Sequence, residues 1–239
     1  MSRRVNKAEK IAFAKTEIAR AWGCDPGVFD SDENIFIQTE DPFFEIVTFG
    51  VSAVIRADEV MLAWCREVFG SMPARDIMDG DSLYRLETKL RSSGKKLGGE
   101  HVRYLHLDPD KHMEKPGEFV YKLYIGDDVK QLYEYKNYDS ALNYEQDVLA
   151  LAAYHGDALV AMAGADDYAG DLWQIGIDTL PQYRKRGLGV YLVKQLAVTI
   201  EDMGKVPFYT TWSANIASGK VALGAGFHPV WMGYPSEDI

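Results

Sequence analysis

The chain has 239 residues, of which 47% are apolar, 26% charged and 12% aromatic. That balance suits one large domain or two small ones and excludes a disordered polymer, a collagen-like repeat and a disulfide-stapled miniprotein. Twenty-six basic residues against thirty-six acidic ones give a net charge of −10, which speaks against sequence-independent nucleic-acid binding but leaves room for a local basic patch that holds a small polyanion.

Taken in chain order, Ile11, Ala14, Ile18 and Ala21 recur at helical spacing and predict an amphipathic helix over residues 5–22, ended by Gly23 and Pro26. Short strands are expected at Ile35 to Ile37, Phe44 to Phe49 and Ser52 to Ile55. Asp58 is placed to cap a helix running to Phe69, and a second helix carries Leu83, Leu86 and Leu90. The stretch from Gly94 to Gly117, rich in Gly, Lys, Asp and Pro around the apolar piece Val102 to Leu107, marks a domain boundary. It divides the chain into an N-terminal α/β region, 1–117, and a second domain, 118–239.

Beyond the boundary, Phe119 to Ile125 alternates like a strand and Val129 to Tyr135 looks helical. Val148 to Tyr154, a His155-Gly156-Asp157 turn and Ala158 to Ala163 read as antiparallel sheet. Leu172 to Thr179 is a further strand stopped by Pro181, followed by a helix over Val190 to Ile200, a strand at Phe208 to Trp212, a helix at Ile216 to Leu223 and a last strand at Phe227 to Met232. The second half is thus an α+β pattern with strands in excess.

Cys65 lies in the apolar run Val60 to Cys65 and Cys24 is remote from it, so reduced thiols are expected. No apolar run approaches the ~20 residues a membrane span needs, and the basic start, Met1 to Lys7, is followed by no signal-peptide core. A cytoplasmic protein with no membrane partner is expected. The five histidines lack zinc-like spacing, so no metal is expected, and Ser213 lacks the setting of a nucleophile elbow. Tyr121, Tyr124, Tyr133, Tyr135, Tyr138 and Tyr144 fit a packing surface better than a substrate channel.

One segment carries chemistry. Trp173 to Val190 reads as a strand, a turn stopped by Pro181, a basic loop containing Arg184, Lys185 and Arg186, and a helix entered through Gly187-Leu188-Gly189. Such a loop presents consecutive backbone N–H groups and the positive end of a helix dipole. Its glycines let a ligand approach the main chain. A phosphate or pyrophosphate is the natural guest, and an ordinary strand-to-helix connection is the alternative. The pattern is neither a P-loop nor a Rossmann fingerprint, since Gly-Lys-Ser/Thr is missing and Arg184 replaces the first glycine.

Together with Asn215, Ser218 and Gly226-Phe227 downstream, Pro181, Arg184, Gly187 and Gly189 resemble the acetyl-CoA motif of the GCN5-related N-acetyltransferases, the GNAT superfamily, over roughly residues 118–239. The first half, including Phe44 to Gly50, resembles the N-terminal portion of a bacterial-type GNAT subgroup. The resemblance implies a mixed, mostly antiparallel sheet flanked by helices, with the N-terminal α/β region packing on the catalytic half and helping to shape the acceptor side. It also implies acetyl-CoA as co-substrate, a small-molecule or peptide amine as acceptor, and is compatible with a homodimer. In that frame the main chain of Ile177, Asp178 and Thr179 holds the pantetheine arm. The amides of Lys185, Arg186, Gly187, Leu188, Gly189 and Val190 hold the pyrophosphate beside Arg184, and Asn215 meets the arm from the far side. An N–H near Thr179 polarises the thioester carbonyl.

Two family features are missing. Ala222 stands where members often carry a Tyr acid, and Trp173 and Gln174 stand where some carry a Glu base. Asp171 and Asp178 are the carboxylates left to test, each more naturally a solvated or turn-capping residue. Tyr209 and Trp212 are candidate cleft walls that fit a core equally well. Ala222 keeps open a second reading, an acyl-CoA-binding regulatory module without turnover.

Overall fold

The computed structural model describes residues 6–143 and 146–239, so Val5 and Tyr144 of the sequence reading lie outside the described residues. The chain forms two compact units: residues up to Ala21 with Arg103–His228, and Trp22–Val102 with Pro229–Ile239. These units interleave along the chain, unlike the single cut between 117 and 118 that the sequence leads one to expect. The apolar piece Val102 to Leu107, expected to belong to a boundary, is for the most part the strand His101–His106, whose second half is buried.

The first unit begins with α1 (Lys7–Trp22), whose start is fixed by a reciprocal pair: Asn6 Oδ1 accepts from Glu9 N (3.0 Å) and Glu9 Oε2 accepts from Asn6 N (2.8 Å). Its strands are β5 (His101–His106, from Arg103 onward), β6 (Val120–Ile125), β7 (Asp147–His155), β8 (Ala158–Ala169), β9 (Leu172–Thr179) and β10 (Val206–Thr211). They lie in the order β5-β10-β9-β8-β7-β6, with β6 to β9 antiparallel and β9 parallel to β10. This is a mixed, mostly antiparallel sheet in an α+β fold.

Two further helices complete the unit, α5 (Leu188–Asp202) and α6 (Ile216–Gly224). The apolar stripe of α5, Leu192, Val193, Leu196, Ala197 and Ile200, is buried, as its periodicity predicts. The segment read as helical at Val129 to Tyr135 is a 3₁₀ stretch over Gly126–Leu132. Val129 and Leu132 are buried there with Tyr124, Tyr138, Ala141, Leu142, Ala150, Ala152, Leu159 and Met162, so Tyr124 and Tyr138 of the aromatic-rich stretch are core residues.

Two glycines let a backbone segment rest on this sheet. Gly164 of β8 pairs with Gly176 of β9. A Cβ on the first would stand 2.0 Å from Ala141 O, and on the second 1.9 Å from Ser140 O. Only the absence of side chains at both positions lets the 140–141 main chain lie across the strands.

The second unit holds β1 (Ile35–Gln38), β2 (Phe44–Thr48), β3 (Ala53–Ala57), β4 (Lys95–Leu97) and, from Pro229 onward, β11 (Phe227–Asp238). The order is β1-β3-β2-β11, with β4 paired to β11. Its helices α2 (Glu59–Phe69), the short α3 (Ala74–Ile77) and α4 (Gly80–Arg91) cover a core built on Phe44, Ile46, Ile55, Leu62, Phe69 and Leu90. Asp58 Oδ1 caps α2 as the sequence indicates, accepting from Met61 N at 2.7 Å. Both cysteines are free thiols, and burial pushes Cys65 up to about 12.

Candidate active site

The site begins where two strands part. β9 and β10 run parallel through four register pairs, from Val206–Leu172 to Tyr209–Ile175. β9 then continues along β8 alone as far as Thr179. Burial follows the pairing: Leu172, Trp173 and Ile175 are buried, while Gly176 through Thr179 are half-buried. Ile177, Asp178 and Thr179 therefore keep one edge of their main chain clear of a strand partner.

Beyond Thr179 the chain makes a 3₁₀ turn over Pro181–Tyr183 and reverses into α5. Lys185 (φ 62°) and Gly187 (φ 80°) both adopt the left-handed conformation. Alternation of hand along a turn brings successive N–H groups to one concave side, the arrangement that favours anions. The Arg184 Nε donates to Thr179 O at 3.0 Å and so ties the turn to the strand end. Arg186 donates to Glu118 Oε1 at 3.0 Å. Arg184, Lys185 and Arg186 are all exposed.

The start of α5 differs from that of its neighbours. Side chains cap α1, α2, α4 and α6, through Asn6, Asp58, Asp79 and Asn215. Gly187 stands at the N-cap of α5 and offers no side chain. The first bond into the helix is Tyr191 N to Gly187 O, at 3.0 Å. The N–H groups of Leu188, Gly189 and Val190 precede it and have no acceptor inside the helix. Among the described residues α5 is the one helix of nine residues or more that begins in this way. A glycine there costs backbone entropy and leaves the helix dipole uncompensated, which suits a position whose partner is an external anion.

The floor of the opening is also defined. A Cβ at Gly189 would meet Val221 Cγ2 at 3.5 Å, Ile177 Cγ1 at 3.7 Å and Thr179 Oγ1 at 3.8 Å. Helix α6, the end of β9 and the first turn of α5 thus converge on Gly189. A cavity of about 530 Å³ lies beside the turn, lined by Met113 to Gly117 with Arg186, Gly187 and Val190. The turn has open volume beside it and main chain that a ligand can reach.

The residues singled out in the sequence divide clearly. Ile177, Asp178, Thr179, Arg184, Lys185, Arg186, Gly187, Leu188, Gly189 and Val190 share one end of the sheet. Asn215 caps α6, with Oδ1 accepting from Ser218 N at 3.1 Å. Asp171 is remote. It precedes β9 at the other end of the strand, roughly 26 Å from Thr179 at about 3.3 Å per residue, and pairs with Lys205. Asp178 is close but engaged, since its Oδ2 accepts from Ser140 N (2.7 Å) and Ala141 N (2.9 Å).

Burial pushes the Asp178 carboxyl above its ordinary 3.8, and the two amides and the Ser140 hydroxyl only partly offset this. An acid whose folded pKa is raised destabilises the fold once ionised, over the window from 3.8 upward through the folded value. Asp178→Asn keeps an oxygen for both amides without the charge. The variant is expected to unfold at the same urea concentration as the parent below pH 3.8 and at an equal or higher one at pH 7. A lower midpoint at pH 7 would show that the loop needs the carboxylate.

Sequence reasoning passed over Tyr209 and Ser218 as a pair. Their hydroxyls are 2.7 Å apart. Burial pushes Tyr209 up to about 12, with Ser218 partly offsetting it and Asp178 and Tyr104 adding to it. The signal available was spacing: Ser218 lies one helical turn before Ala222 on the same face of α6. Gly164 and Gly176 were missed as well, although a glycine inside a strand is itself a sign of close backbone approach.

Residues 87–231 match the family model described as GNAT acetyltransferase, well over half of the chain. The chain belongs to the GNAT acetyltransferase family. Among solved structures it is similar to a GNAT-family protein from Novosphingobium aromaticivorans (19% identity, 60% of this chain and 66% of that one, TM-score 0.46). It is also similar to a GCN5-related N-acetyltransferase-like protein from Streptococcus suis (17%, 69% and 75%, TM-score 0.48). A third is yncA of Salmonella typhimurium, solved with its cofactor acetyl-CoA (14%, 51% and 94%, TM-score 0.38). The chain thus spans just under two thirds of the Novosphingobium protein. No curated protein matches it. Among the described residues of this GNAT chain, no group of three or more His, Cys, Asp or Glu side chains is placed to hold a metal ion, and no helix is long and apolar enough to cross a membrane.

Proposed function

We propose that the chain is an acetyl-CoA-dependent N-acetyltransferase, which transfers an acyl group from the thioester to a primary amine of a small molecule or peptide by direct attack. We assign the activity to residues 118–239 and to the cytoplasm. The observation that carries the reading is the uncapped, glycine-opened start of α5, set at the mouth where β9 leaves β10. A diphosphate there accepts from the amides of Lys185 through Val190, with Arg184, Lys185 and Arg186 adding positive charge to an otherwise acidic protein. From that anchor the arm of the co-substrate has the free main-chain edge of Ile177, Asp178 and Thr179 on one side and α6, headed by Asn215, on the other.

The main chain near Thr179 supplies the donor for the developing oxyanion, at a position fixed by pairing with β8 before reaction. The acceptor enters as an amine that has lost its proton, since an ammonium of pKa ~10 has no lone pair to offer. The surplus of acidic residues raises the local concentration of cationic amines. A second reading, an acyl-CoA-binding regulatory module, is favoured by buried Ala222 in the place of the family's tyrosine. Incubation with acetyl-CoA and a panel of primary amines, followed by free thiol release, separates the two. Amine-dependent release above the rate without amine is expected. Tight binding with no such release across the panel would select the module.

A further inference from the structure

We propose that the Ser218 hydroxyl receives the departing sulfur of the thioester and that Tyr209 is its positioning residue. The proposal rests on the acyl-transfer reading and supplies the group that Ala222 lacks. Ser218 is half-buried on α6, and the Asn215 cap on its own N–H fixes its backbone. Val221, one turn further along the same face, is the residue that meets the Cβ position of Gly189. Tyr209 beneath Ser218 is 2% exposed and belongs to the last register pair before β9 and β10 separate. A stripe of α6 thus leads from the anion-binding turn, past Val221, to a hydroxyl standing over the apex of the split sheet.

The pair has a direction. Of the two hydroxyls the phenol is the stronger donor, and burial keeps Tyr209 protonated. The two hydroxyls are 2.7 Å apart, and with Tyr209 O–H as the donor the serine proton is left for a ligand. In the reaction the amine lone pair forms the C–N bond and the carbonyl pair moves onto oxygen. When C=O re-forms, the C–S bond breaks and its electron pair goes to sulfur, where the thiolate accepts a hydrogen bond from Ser218. The proton of the new ammonium leaves to solvent. Tyr209 keeps its own proton throughout and orients the serine.

The test uses free CoA and S-methyl-CoA and requires no acceptor. A hydroxyl aimed at sulfur lowers the pKa of the bound thiol. CoA therefore gains affinity as the pH rises toward the thiol range, while S-methyl-CoA does not. Calorimetric titration of the full chain between about pH 7 and 9 is expected to show CoA gaining on S-methyl-CoA severalfold, toward the about tenfold worth of one charge-assisted hydrogen bond that is reached above the free thiol's pKa. Ser218→Ala should flatten the profile, Ser218→Thr should restore it, and Tyr209→Phe should reduce it while both ligands still bind at pH 7. A parent profile that is already flat, or one that Ser218→Ala leaves unchanged, overturns the proposal. Failure of the parent protein to bind either ligand is a different result, which overturns the co-substrate reading itself.

Discussion

Gly187→Glu and Gly189→Glu are each expected to lower the affinity for CoA by nearly a thousandfold, with the fold retained. The argument is electrostatic first. A carboxylate at the turn lies about 4 Å from any phosphate held on the same amides, and two like charges at that separation repel by about 4 kcal/mol at an effective dielectric constant of 20. At about 1.4 kcal/mol per factor of ten, that is close to three orders of magnitude. Sterics add to it differently at the two positions. Gly187 sits at φ 80°, where any side chain is strained. Gly189 is helical, and its Cβ position looks into the junction of Val221, Ile177 and Thr179 at 3.5 to 3.8 Å.

Those last distances are ordinary contacts, so Gly189→Ala should fold normally and bind CoA within a few fold of the parent. The Ala and Glu variants at one position thus separate charge from bulk. Calorimetric titration with CoA, paired with thermal unfolding of each variant, provides the measurement. Unchanged affinity in both Glu variants would remove the turn from the site.

Much of this site was written in the local sequence, because its parts are local. A strand, a proline stop, the glycines of the turn (Gly187 and Gly189) and the start of a helix lie within Trp173–Val190, and each follows from backbone preference or hydrophobic period. Asp58 is legible as a helix cap for the same reason, whereas Asn215, expected only to meet the arm, caps α6 as well. What escaped depends on segments far apart in the chain. The role of Gly176 appears only when the main chain of Ser140 crosses it. The engagement of Asp178 depends on that same crossing, which turns a candidate catalytic acid into an anchor for the loop. Asp171 lies seven residues before Asp178, yet the length of β9 carries it to the far end of the sheet, where Lys205 meets it. The partner of Tyr209 comes from α6, and nothing in the β-strand around Tyr209 announces a serine there. The last strand runs to Asp238, past the expected end at Met232, because β2 and β4 pair along it.

The second large effect concerns the other end of α5. Glu201, in the last turn of the helix, accepts from Lys10 of α1 and lies 2.9 Å from His106 Nδ1. Lys10 also donates to the carbonyl of His106 at 2.7 Å. Lys10 is 6% exposed and His106 fully buried, its ring against Phe227, so these groups have exchanged water for one another. Burial pushes the Glu201 carboxyl up, but the hydrogen bonds and charges of His106 and Lys10 outweigh it and hold the group below its ordinary 4.5. A lowered folded pKa means that the stabilisation is present above pH 4.5 and is lost as the pH falls through the folded value.

Glu201→Gln removes the charge and leaves a buried ammonium without its counterion. A loss of about 3 to 5 kcal/mol at pH 7 is expected, because an uncompensated buried charge costs more than the pair ever contributed. The double variant Lys10→Met with Glu201→Leu should lose less than the sum of its singles, since neither charge is then stranded. Urea unfolding at pH 7 and near pH 4 reads both effects, and the gap between parent and Glu201→Gln should narrow in acid. A loss below about 1 kcal/mol at pH 7 would mean that water reaches Lys10 and that the triad is a surface pair. The consequence reaches the chemistry through a single helix. Glu201 lies in the last turn of the same α5 whose first amides belong to the proposed site, so calorimetric titration of Glu201→Gln with CoA is expected to show weaker binding than the parent.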